Sequence, residues 1–133
     1  MSAATKAVYD RLVELVGANV ADIHAVSLPP DAVFPCVVYS QIFGGDGRLV
    51  SGTAGDTYRY RFQIDIYHSV FSGLLALRQT VVTGFHRWSV SGSVHDTRID
   101  MDLPYTMDEL DTSLPNVFRH IIDIGIEIPY SAV

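Results

Sequence analysis

The sequence predicts an α+β fold, in which one mostly antiparallel four-stranded sheet carries two helices on one face. From Tyr58 to Tyr67, polar and apolar side chains alternate, which is the period of a half-buried strand. The period then changes to that of an amphipathic helix, with apolar residues at Val70, Leu74, Leu77, Val81, Phe85 and Trp88. Alternation returns from Phe118 to Ile128 and predicts the last strand. A strand therefore leads into a helix that covers the apolar face of that strand.

The first helix is predicted in the first 17 residues, where apolar side chains recur at helical spacing. Ser2 is a plausible N-cap, and Gly17 is a plausible stop. The segment from Ala18 to Pro35 is predicted to be a connection, because proline disfavours both a helix and a central strand. Its prolines are Pro29, Pro30 and Pro35.

Two further strands and two loops complete the predicted order of helix, strand, strand, helix, strand, strand. Cys36 to Phe43 is β-branched and aromatic, which favours a strand. Gly44 to Thr57 contains five of the ten glycines and is predicted to be a long loop. His95 to Asp102 alternates as a strand with a polar outer face, and Leu103 to Pro115 forms the second loop. The predicted core comprises Phe62, Ile64, Leu74, Leu77, Val81, Ile122 and Ile124.

Length and composition favour a single α+β domain over residues 1–133. The net charge of −6, with Lys6 as the single lysine, argues against adhesion to nucleic acid. Cys36 is the single cysteine, so an intramolecular disulfide is excluded and a buried, inert thiol is expected. The amino terminus lacks a signal-peptide pattern, and no apolar run approaches the ~20 residues of a membrane span. We therefore expect no membrane association.

The residues that could carry chemistry are weak candidates for a catalytic or metal site. The glycines of residues 44–47 lack the Gly-Lys-Ser/Thr continuation of a phosphate-binding loop. Asp100 and Asp102 are two apart on a predicted strand, so both are expected on one side, as paired metal carboxylates would be. No lysine or glutamate at a useful spacing supports a nuclease-like site, and Arg98 shares that face. The five histidines show no ligand spacing. The sequence thus predicts no enzyme, no cofactor and no metal site.

The motifs resemble those of a known family. These motifs are the strand from Phe34 to Tyr39, the glycine-bearing loop after it, the strand from Tyr60 to Tyr67 and the helix that follows. They are similar to the tail-completion, or tail-terminator, proteins of long-tailed, siphovirus-type bacteriophages, which also occur in prophages and gene-transfer particles. The resemblance extends from the first helix to Ile128. The Ala18–Pro35 and Leu103–Pro115 segments carry no family motif.

This resemblance implies a structural virion protein that forms a hexameric ring at the head-proximal end of the tail. Such a ring ends polymerisation of the tail tube and joins the tail to the head connector. The implied partners are further copies of the chain, the tail-tube protein and the head–tail connector protein, with DNA passing through the lumen without specific binding. The implied location is the tail or neck of the virion, reached from the host cytoplasm during assembly.

Candidate residues for these roles come from the loops and from the charge distribution. Leu49 and Val50 are apolar within the glycine-rich loop, so they either contact a neighbouring copy or fold back on their own hairpin. Eight of the fifteen acidic residues lie from Asp96 onward, where only Arg98 and Arg119 are basic. An acidic channel would repel DNA phosphates, whereas the alternative is a solvated acidic face. The channel-facing candidates are Asp100, Asp102, Asp108, Glu109 and Asp111.

Three other functions remain open at the level of sequence. A head-completion or other neck protein would bind on the portal side. A small α+β ligand-binding module would show a defined apolar pocket with converging polar groups. A metal-dependent hydrolase would need Asp100, Asp102 and a third carboxylate around one cation.

Overall fold

A computed structural model describes residues 3–42, 48–50, 57–103, 106–107 and 117–129, with the backbone alone at 48–50 and 106–107. The helices are α1 (Ala3–Val16) and α2 (Phe71–Phe85). The strands are β1 (Asp22–Ala25), β2 (Cys36–Gln41), β3 (Arg48–Val50), β4 (Thr57–His68), β5 (Asp96–Asp102), β6 (Thr106–Met107) and β7 (Phe118–Pro129).

The described strands form one mixed sheet with the path β1-β2-β4-β7-β5. β1 runs parallel to β2, whereas β2–β4, β4–β7 and β5–β7 are antiparallel. The short strands β3 and β6 pair with β4 and β7. The α+β class and the two helices are confirmed, but the prediction of four strands is wrong, because the main path has five.

β1 lies within the segment predicted to be a connection. Its Asp22 pairs in register with Cys36, at the start of β2. The three prolines follow β1 in the chain, so they do not interrupt a four-residue strand at the sheet edge. The two predicted loops also contain strands, β3 and β6, each of which extends a hairpin with its longer neighbour.

The core lies between the two helices and one face of the sheet. All seven predicted core residues belong to one buried cluster, so this prediction is confirmed. The buried side of α2 is formed by Leu74, Leu77, Val81 and Phe85. Val70 precedes the helix and is 52% exposed, and Trp88 lies beyond its end, where it packs edge-on against Phe85. The helix is therefore shorter at both ends than the apolar stripe indicates.

The two helices approach closely at Gly84. A Cβ placed on Gly84 would lie 2.4 Å from both Leu15 methyl carbons, so a side chain at this position would force Leu15 to move. Arg11 reaches across from α1 and donates hydrogen bonds to the Gly84 carbonyl at 2.8 and 3.2 Å. α1 ends at Val16, where the Gly17 amide bonds the Val13 carbonyl, as predicted for this stop.

Within the described part of the chain, neither helix has the length and apolar character needed to cross a bilayer. Cys36 is fully buried, and burial raises the pKa of its thiol to about 11. This environment agrees with the predicted inert thiol, because burial disfavours the nucleophilic thiolate.

Candidate interaction surfaces

The sheet face opposite the helices, called here the outer face, carries a network of charged side chains. Neighbouring strands place arginines beside carboxylates on this face. Arg59 on β4 lies 2.9 Å from Glu127 on β7, and Arg98 on β5 lies 3.3 Å from the same carboxylate. Arg119 pairs with Asp65 at 2.6 Å. The outer face is therefore close to charge balance, although the chain as a whole is acidic.

Asp123 lies at the centre of this network. Its side chain is 6% exposed, and Arg61 lies 3.6 Å from one carboxylate oxygen. The other oxygen is buried without a hydrogen-bond partner. Burial raises the pKa of the Asp123 carboxyl, Arg61 lowers it, and the nearby Asp100 and Asp65 raise it further. The ionised form of Asp123 is thus held at an energetic cost.

The count of charged residues along the sequence overestimated the net negative charge around the described carboxylates of the carboxy-terminal part. Each described carboxylate from Asp96 onward forms an ion pair with an arginine. Arg59, Arg61, Arg78 and Arg87, which come earlier in the chain, supply most of these partners. The sheet and α2 bring them beside β5 and β7, which a count along the sequence cannot include.

Asp100 and Asp102 point to opposite sides of the sheet, which corrects the expectation that they share one side. The register of β5 on β7 shifts between Ile99 and Met101, where the strand carries a β-bulge. Asp100 stays on the outer face, within ion-pair distance of Arg61 and Arg98. The two aspartates therefore cannot act as a pair on one cation.

Asp102 lies instead on the helix side of the sheet. One carboxylate oxygen is 2.5 Å from His120 Nε2, and Arg78 of α2 donates hydrogen bonds to the same carboxylate. The Arg78 hydrogen bond lowers the pKa of Asp102, burial opposes this effect, and the His120 hydrogen bond lowers it further. His120 is 4% exposed, so this histidine is buried on the helix side of β7.

The other candidate residues lie largely beyond the described side chains. The backbone of Leu49 and Val50 pairs with Tyr58 and Thr57 of β4, within their own hairpin, and their side chains are outside the described residues. Asp108, Glu109 and Asp111 are also outside the described residues, as are glycines 44, 45 and 47. Among the described residues, no three His, Cys, Asp or Glu side chains are grouped closely enough to hold a metal ion.

Two open pockets lie away from the charged network. The first pocket has a volume of about 400 Å³ and lies between α1 and the α2–β5 turn (residues 86–95). Its lining includes Lys6, Arg11, Trp88 and Val90. The second, called the β1 pocket, has a volume of about 380 Å³. It is lined by Ala21, Asp22, His24, Pro29, Asp31, Ala32 and Val33.

Sequence reasoning did not single out the two sheet edges. Among the described residues, the non-glycine positions with positive φ are Val26, at 73°, and Arg87, at 58°. Val26 follows β1 and is 77% exposed, and the side chain of Arg87, in the α2–β5 turn, is 70% exposed. Strained and exposed residues of this kind are associated with functional surfaces. The sequence carried no signal for them, because neither residue type favours this conformation.

Comparison with known proteins gives a structural likeness. No protein-family model matches the chain, and no curated protein matches its sequence. A solved structure described as the virion of a native gene transfer agent particle contains a chain with a similar fold, at a TM-score of 0.57 and 16% sequence identity. The match covers 91% of this chain and 90% of that chain. The likeness shows a common fold over nearly the whole of both chains.

Proposed function

We propose that this protein is a structural component of a phage-like particle that forms a hexameric ring at the head-proximal end of the tail. There it ends polymerisation of the tail tube and joins the tail to the head connector. The observation that carries the proposal is the fold shared with a chain of a gene transfer agent virion over 91% of this chain. The resemblance of the Phe34–Tyr39 and Tyr60–Tyr67 strands to tail terminators supports the position at the tail end.

The two ends of the sheet support ring formation on physical grounds. A ring of identical copies needs two different surfaces on each copy, one meeting the other on the next subunit. β1 and β5 are the terminal strands of the sheet path, so they place different surfaces at opposite edges. Exposed apolar side chains adjoin both edges, with Val26 and Val33 near β1 and Val90 near β5.

In this proposal DNA passes through the lumen without specific binding. The arginines of the outer face are already paired with carboxylates, which leaves little net positive charge to hold phosphates. Asp100, Asp108, Glu109 and Asp111 stay candidates for the channel. Asp102 does not, because it is bonded to Arg78 and His120 on the helix side.

Leu49 and Val50 stay candidates for contact with a neighbour or partner. Their backbone belongs to β3, which pairs with the chain's own β4, so any such contact is made from an anchored strand. Replacing both residues with serine is expected to leave the fold intact and to weaken assembly. If this variant formed normal rings, the two residues would not be part of the interface.

Deletion of the gene from the genome that encodes it tests the proposal. We expect filled heads without tails, together with overlong free tails, in electron micrographs of the lysate. Supplying the protein from a plasmid should restore joined particles of normal tail length. Particles that are joined and normal without the protein would refute the proposal.

The same micrographs distinguish the proposed function from its alternatives. A head-completion protein on the portal side acts on the head and not on the growing tail, so its loss would leave free tails of normal length. A ligand-binding module with no place in the particle would leave both heads and tails unchanged. Tail length and head–tail joining in the deletion strain together distinguish the three functions.

A further inference from the structure

We propose that the β1 pocket of one copy receives Arg87 of a second copy, and that this contact links neighbouring subunits head to tail. The inference rests on the proposed ring and identifies the residues that form its subunit contact.

The β1 pocket has the chemistry of a guanidinium site. Asp22 and Asp31 contribute carboxylates to its lining, and the Asp22 side chain is 67% exposed. His24 Nδ1 faces Asp22 at 3.8 Å, while His24 Nε2 is buried without a hydrogen-bond partner. The two carboxylates match the donors of an arginine.

The pocket is also large enough and partly apolar. Its volume of about 380 Å³ accommodates an arginine side chain with its aliphatic stem. Val33, which is 66% exposed, contributes an apolar wall. Arginine places its methylene groups on such a wall while its head meets carboxylates.

Arg87 has the exposure and the backbone conformation expected of a residue that inserts into a neighbouring copy. Its side chain is 70% exposed, and its backbone, at φ 58°, turns sharply between α2 and β5. Its intramolecular partner is Asp96 at 2.9 Å, an exposed pair of the kind that contributes little to stability. Val90, three residues further on, is 40% exposed and adds an apolar side chain to the same turn.

The placement of the two surfaces makes the contact heterologous. The pocket lies at β1, and Arg87 lies beside β5, where its amide donates a hydrogen bond to the Thr97 carbonyl. These two strands end the sheet path on opposite sides. Each copy thus offers one pocket and one arginine. A contact of this type closes into a ring when the rotation between copies divides a full turn.

Disulfide trapping tests the contact directly. Cys36 is fully buried, so introduced cysteines supply the reactive thiols. Arg87→Cys protein mixed with Asp31→Cys protein is expected to form a mixed disulfide under mild oxidation. Arg59→Cys mixed with Asp31→Cys is the control, because Arg59 is an exposed arginine on the outer face. The doubly substituted Arg87→Cys/Asp31→Cys chain should give a ladder of covalent oligomers that ends at the closed ring.

A matched pair of alanine variants gives the energetic test. Arg87→Ala should weaken subunit association at least tenfold by native mass spectrometry, whereas Arg59→Ala, which also loses one exposed ion pair at 2.9 Å, should leave it unchanged. If wild type forms rings but the Arg87→Cys mixture does not cross-link above the Arg59→Cys control, this contact is wrong and the ring stands. If wild type stays monomeric and neither mixture cross-links, the contact and self-association into a ring are both wrong.

Discussion

Asp102 and His120 form a partly buried contact of 2.5 Å between a carboxylate oxygen and Nε2, on the helix side of the sheet. The contact exists because the bulge in β5 brings Asp102 into register with Ile122, whose side chain lies in the core. Arg78 of α2 completes the cluster. Three elements, β5, β7 and α2, are thereby joined at one point, and this arrangement predicts how stability depends on pH.

Replacing Asp102 with alanine should destabilise the protein by about 1–3 kcal/mol at pH 7, because His120 and Arg78 lose a charged partner. The pKa of Asp102 is lowered in the folded state, so its contribution is fully present above its ordinary value of 3.8. The contribution is lost as pH falls through the lowered folded value. Urea unfolding from pH 7 to pH 2.5 should show the difference from wild type shrinking in this window. Asp10→Ala, which breaks an exposed pair with Lys6, is the control and should change stability by less than about 1 kcal/mol.

Asp123 should respond in the opposite direction. Burial raises its pKa, so the folded state holds the ionised carboxylate at a cost that appears as pH rises above 3.8. Asp123→Asn removes that charge, and we expect equal or greater stability than wild type at pH 7 and no difference at pH 3. A clear loss of stability at pH 7 would show instead that the pairing with Arg61 outweighs burial.

Leu74 and Leu75 are adjacent on α2 and provide a direct test of the helix-on-sheet core. Leu74 is fully buried, so Leu74→Ala should cost about 2–5 kcal/mol through lost transfer free energy and the resulting cavity. Leu75 is 43% exposed, and Leu75→Ala should stay within about 0.5 kcal/mol of wild type. Similar thermal midpoints for the two variants would contradict the packing described here.

Gly84→Ala should destabilise the protein, although alanine ordinarily favours a helix over glycine. The added methyl would meet the Leu15 side chain at 2.4 Å, and overpacking of this kind costs about 1–3 kcal/mol. Leu15→Ala should relieve the clash, so the double variant should lose less than the sum of the two single losses. Additive losses in denaturant unfolding would place Leu15 and Gly84 out of contact.

The core and the main strands were predictable because burial leaves a periodic trace. Phe62, Ile64, Ile122 and Ile124 alternate with polar residues, and their strands pair with each other in the structure. β1 escaped prediction because four residues of mixed polarity at a sheet edge carry almost no period.

The charged surfaces were harder to predict because they depend on long-range pairing. The bulge at residues 99–101 reverses the side of the sheet on which Asp102 lies, and the residue types there do not indicate a bulge. Arg61 and Arg59, which pair with Asp123 and Glu127, come from β4, more than fifty residues earlier in the chain. Only the strand order reveals that these charges are neighbours.

The proposed place of the protein in the particle is tested most directly by an electron cryomicroscopy reconstruction of the head–tail junction of particles made by the genome that encodes it. We expect a six-fold ring between the tail tube and the head connector, into which this mixed sheet and its two helices fit. A junction in which that position is filled by a different fold, or particles that lack this chain altogether, would contradict the proposed function.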